Sequence, residues 1–137
     1  MNNFNWEDSY QLQIPKIDEQ HKHFFEIWES VCNNTGNHSN DELNEIIVKL
    51  EDYLKMHFEY EEELMEKAGT EEYGKHLRQH IFFIDKIDEL KLEHSYMNPF
   101  LFEKITLFMK KWFLTHILQA DTEYKESVLK YLQLNNL

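Results

Sequence analysis

His57 with Glu61, and His76 with His80, stand four residues apart, a separation that brings two side chains to one helix face about one turn apart. Each pair can grip one ion. His21 and His116 fall on the apolar stripes of two further segments, and Asp121 follows five residues after His116. Burying an imidazole or a carboxylate costs several kcal/mol unless the group is paired, hydrogen-bonded or bound to metal. Singly, each signal has a plainer reading: a lone buried histidine is more often a hydrogen-bonded core residue, and His-x-x-x-His recurs by chance. Five histidines and a carboxylate at core positions on four segments, with a second carboxylate close by, call instead for a shared partner. The other three histidines lack this placement. His23 is turned away from the face of His21, His38 lies in an Asn/Gly/Ser connection, and His94 stands at the end of a helical pattern.

Imidazole with carboxylate and no thiolate suits iron, manganese or zinc, and this donor set exceeds what one ion needs. If both carboxylates and a solvent-derived oxygen bridge two six-coordinate ions, the five imidazoles leave a single position open for an outside ligand. One spacing resists a regular helix. Residues five apart are rotated by about 140° from each other, so for His116 and Asp121 to reach one site the helix must end, break or take a π turn between them.

The elements that must position these groups are helices. Residues 1–17 lack helical periodicity but carry Trp6, Tyr10, Ile14 and Ile17, which suggests an extended arm packed on the body; Asp18 is the expected cap of the first helix. That helix presents His21, Phe24, Phe25, Trp28, Val31 and Cys32 on one stripe, with Cys32 read as packing. Ser39 and Glu42 have capping-box spacing and open a second helix that runs to Gly69. Thr70 is the expected cap of a third, ending near His94. Asn98-Pro99 opens a fourth that carries its stripe to Ala120, and a short tail helix spans about Thr122 to Leu132. The expected fold is all-α: an antiparallel up-down-up-down four-helix bundle with an extended N-terminal arm and a short C-terminal helix, in one domain over residues 1–137.

Charge and composition exclude other classes. With 26 acidic against 14 basic residues the formal net charge is -12, which argues against nucleic-acid and anionic-membrane partners. No apolar run approaches the roughly 18 residues of a membrane span, and the first residues lack signal-peptide features, so no membrane insertion and a cytoplasmic location are expected. A single cysteine, Cys32, rules out an intramolecular disulfide.

The run Ile17 to Lys22 (IDEQHK), His57-Phe58 with Glu61-Glu62, His76-x-x-x-His80, and Trp112-Phe113-x-x-His116-Ile117-x-x-x-Asp121-x-x-Tyr124 resemble the hemerythrin pattern, across essentially the whole chain. The resemblance is to a single-domain bacterial hemerythrin. It implies two non-haem iron ions with a bridging oxo or hydroxo group: His76, His80 and His116 on one iron, His21 and His57 on the other, Glu61 and Asp121 bridging. It further implies reversible dioxygen binding as a carrier, store or delivery protein, with nitric oxide as a second candidate ligand, and no enzymatic turnover. Phe24, Phe58, Trp112, Phe113 and Ile117 would then wall the open position and keep water from it. The rival classes are a di-iron oxidase, whose ferritin-like members use Glu-rich sets, and a sensor module.

Overall fold

Proline holds φ near the helical value and has no N–H to leave unpaired, which suits the first turn of a helix. Pro15 is used in this way. The computed structural model describes Leu12 and residues 14–33, 38–71, 73–112, 114–116 and 121–135, the side chains of 32, 33 and 121–123 excepted. Within it α1 spans Pro15–Asn33, and the Asp18 amide donates to the Ile14 carbonyl at 2.9 Å. The expectation that Asp18 caps this helix is therefore corrected. Asp18 sits inside the first turn, where its Oδ1 accepts from the Leu12 amide at 2.8 Å and ties the preceding segment to the helix. The first helix begins at Pro15 rather than after Ile17, while Trp6 and Tyr10 lie outside the described residues.

Helix α2, Asn40–Ala68, is bounded as its sequence signals require: Ser39 and Glu42 form a capping box, and Gly69 closes the helix at φ 67°, a left-handed conformation that favours glycine. Helix α3 spans Tyr73–Ser95. Ahead of it the Thr70 hydroxyl pairs with Ser127 Oγ at 2.8 Å and the Thr70 carbonyl accepts from the Tyr73 amide at 3.2 Å, while residue 72, within capping reach of that hydroxyl, lies outside the described residues. Asn98 does act at the next start, with Oδ1 accepting from the Phe100 amide at 2.9 Å ahead of α4, Leu101–Trp112. The α-helix stops there, short of the expected Ala120, and residues 114–116 form a π turn. Thr115 helps to close α4 by donating its hydroxyl to the Lys111 carbonyl at 2.7 Å. Helix α5 spans Asp121–Leu134.

Cross-helix contacts set the directions. Gln20 meets His57 and His23 meets Tyr53, so α1 and α2 are antiparallel. Glu61 meets His80 and Glu51 meets Lys91, which makes α3 antiparallel to α2. Glu93 meets Lys104 and Phe83 meets Phe108, so α4 turns back again. Phe24 against Trp112, and His21 against His116, close the up-down-up-down bundle. A large core cluster including Phe24, Leu54, Phe83 and Trp112 fills the bundle, and a smaller one joins Leu12, Ile14, Met65, Tyr124 and Val128 beneath α5. Among the described residues no helix is long and apolar enough to cross a membrane.

Candidate metal centre

Five of the histidines singled out by spacing are buried: His21, His57, His76 and His116 are fully enclosed and His80 nearly so, as is Glu61. They are positioned by four different parts of the bundle: α1, α2, α3 and the π turn after α4. Donor atoms of His21, His57, Glu61 and His116 all lie within 4.8 Å of one another. Glu61 is the hub. Its Oε1 is 3.1 Å from His80 Nε2 and 3.0 Å from His116 Nε2, while its Oε2 is 3.4 Å from His57 Nε2. His57 and His116 also approach each other, Nε2 to Nε2, at 3.1 Å. His76 is buried on the same α3 face as His80 and packs edge-on against Tyr124, with ring centroids 5.2 Å apart.

A buried, close-set group of imidazole nitrogen donors around one carboxylate, without thiolate, fits iron, manganese or zinc. Over the chain as a whole, the hemerythrin HHE cation binding domain family matches residues 12–128. The chain belongs to the hemerythrin family. Among its relatives, a bacteriohemerythrin of Clostridium acetobutylicum is 32% identical over 126 residues, covering 88% of this chain and 98% of that protein. A bacteriohemerythrin of Stenotrophomonas maltophilia is 28% identical over 127 residues, 93% of this chain and 82% of that protein. A myohemerythrin of Theromyzon tessulatum is 25% identical over 122 residues, 89% of this chain and 91% of that protein.

In this chain the cluster of four residues cuts across the division that the resemblance implies, since it groups His116 with His21 and His57, and His116 stands as close to His57 as to His80. Asp121 opens α5, but its side chain lies outside what the structure describes, as do Phe113 and Ile117. Of the expected pocket walls, Phe58 stacks on His80 with centroids 3.9 Å apart, Trp112 stacks on His116 at 4.9 Å, and Phe24 packs behind Trp112 at 4.3 Å. His23 is exposed and pairs with Glu26. His38 stacks on Phe102, and His94 reaches the Asn40 carbonyl. None of these three joins the cluster in the structure.

Three supporting residues escaped the sequence reading although each stands inside a quoted motif. Gln20 Oε1 accepts from His57 Nδ1–H at 2.7 Å, which leaves Nε2 facing the cluster. Glu62 lies 3.4 Å from His80 Nδ1, and Tyr124 donates to Glu61 Oε2. The electrostatics favour ligation. Burial lowers the His21 pKa well below the usual histidine range and pushes His116 down to about 4 despite the pull of Glu61, so both imidazoles are neutral near pH 7. Burial alone would raise Glu61, but its interactions with His57 and His116 outweigh it and hold the carboxyl well below the usual carboxylate range. Neutral imidazole and ionised carboxylate are the forms that bind a metal ion.

Proposed function

We propose that this chain binds dioxygen reversibly at two non-haem iron ions held between its helices, with His76, His80 and His116 on one ion, His21 and His57 on the other, and Glu61 and Asp121 bridging. The observation that best supports the reading is the split of Glu61: one oxygen faces His80 and His116 while the other faces His57. A carboxylate so placed offers an oxygen to each side. When bound, the iron pair supplies the electrons that dioxygen binding needs. The protein's part is to hold and to exclude. Gln20 orients His57 toward the cluster, while Trp112, Phe24 and Phe58 surround it with apolar rings that keep water and protons out. A His-rich rather than Glu-rich donor set favours binding over turnover, so the role in this reading is that of carrier, store or delivery protein, with nitric oxide as a competing ligand. A single cytoplasmic domain is part of this reading.

The test is to add oxygen to the anaerobic ferrous protein and follow the visible spectrum. A coloured form that appears with oxygen and bleaches on its removal is the expected result. Irreversible oxidation without a coloured oxygenated form would indicate an oxidase, and one zinc per chain on elemental analysis would remove the di-iron reading.

A further inference from the structure

We propose that the α3–α4 face beside His116 docks a small acidic electron-carrying protein that returns oxidised iron to the ferrous state, an inference that rests on the di-iron reading above. Lys75, Arg78 and Lys111 line a hollow of about 350 Å³ to which no carboxylate among the described residues contributes. The chain as a whole carries a formal net charge of -12. An acidic partner is therefore repelled by most of the surface and attracted here, so one field both draws it in and orients it. The α2–α3 cleft shows the contrast: Glu59, Glu62, Glu63, Glu66 and Asp85 line it, with Lys55 the one lysine or arginine among the described residues there.

The middle of the basic face is apolar. Phe82 is 41% exposed and Leu107 66% exposed, and the two share a second hollow with Lys111. The ammonium groups of Lys86 and Lys111 each lie 5.4 Å from the Phe82 ring centre. Glu89 and Glu93 border this second hollow, each at 3.2 Å from a lysine, Lys86 and Lys104 respectively. An apolar centre with a charged rim is the anatomy of a protein interface. Its position is the second argument. Phe82 meets Phe83 edge-on at 5.5 Å, and buried Phe83 meets His116 edge-on at 6.3 Å. One buried ring thus separates an exposed ring on the docking face from an imidazole of the centre.

The occupant that fits is a protein of net negative charge with a one-electron centre. Each docking event transfers one electron. Two donor molecules, each oxidised by one electron, convert two ferric ions to two ferrous ions.

The probe is an acidic plant-type ferredoxin, compared in two measurements across wild type, Arg78→Glu/Lys111→Glu, and Lys49→Glu/Lys55→Glu, a control of equal net charge. Binding of oxidised ferredoxin to the purified chain at low salt is measured by calorimetry and does not depend on iron content. Reduction of the diferric chain by reduced ferredoxin is followed by visible absorbance, with dithionite as a small-molecule reference. The patch variant is expected to lose about tenfold in both affinity and rate and most of their salt dependence, while the control stays within about twofold and dithionite reduces all three alike. The proposal is overturned by undetectable binding to wild type, by equal losses in both variants, or by no loss in either. It is also overturned if the patch variant loses only self-association, which would make a second copy of the chain the occupant. Failure of the di-iron reading would silence the reduction measurement and leave the binding measurement to decide.

Discussion

Tyr124 on α5 donates its phenolic hydrogen to Oε2 of Glu61 on α2, and both side chains are fully buried. The C-terminal helix is thereby joined to the centre of the bundle by a polar contact, set beside the apolar packing of Tyr124 and Val128 on Met65. A hydrogen bond to a charged group contributes about 1.5–3 kcal/mol. Tyr124→Phe should lower the urea midpoint of the metal-stripped chain by that energy with little change in slope. An unchanged midpoint would mean that the bond contributes nothing to stability.

Gln20 fixes the tautomer of His57 by holding the ring nitrogen turned away from the cluster. Gln20→Leu keeps the volume and loses the acceptor, and residues of this kind typically carry 10–100-fold in metal affinity. The expected outcome is faster loss of iron to a chelator, with the helical far-ultraviolet signal retained. Chelator kinetics identical to wild type would deny Gln20 an orienting role.

His21, His23 and His38 separate ligand from bystander. His21→Ala should lose iron, whereas His23→Ala removes an exposed ring and His38→Ala a ring stacked on Phe102, so both should keep about two irons per chain by elemental analysis. Equal loss in all three would refute the ligand assignment.

Acid should destabilise the metal-stripped chain before it protonates most carboxylates. The unfolded chain takes up protons at His21 and His116 near the usual histidine value of 6.5, while the folded chain holds both groups neutral to lower pH, His116 to about 4. The unfolded state binds more protons in that window, so folding stability is complete above 6.5 and is lost as pH falls from there toward 4. Each proton contributes a slope of about 1.4 kcal/mol per pH unit. Urea midpoints measured from pH 7.5 to 4.5 check this, and a flat profile between 6.5 and 5 would contradict it.

Where one residue type answers one local need, the sequence was legible. Ser39, Glu42 and Gly69 bound α2 as read, because a capping box and a left-handed turn each involve only near neighbours. The spacing of His116 and Asp121 calls for a departure from α-helix between them; α4 ends at Trp112 and residues 114–116 form a π turn just before that interval, whose own residues, 117–120, lie outside those described. Long-range partners were not legible. Nothing local to Thr70 announces its bond to Ser127, far along the chain. Asp18 has the type of a helix cap, but Pro15 starts the helix one turn sooner and leaves that carboxylate to Leu12. Gln20 and Tyr124 looked like motif neighbours of ligands, since periodicity marks which residues are buried and not which polar atoms they meet.

The π turn at 114–116 makes this stretch of chain sensitive to its own length. A substitution at Leu114 or Thr115 exchanges one side chain. Deleting either residue would turn everything after it by about 100°, carrying the His116 imidazole off its stack on Trp112 and away from Glu61. Insertions and deletions here should therefore be far more damaging than exchanges, the reverse of the tolerance expected of surface connections between helices.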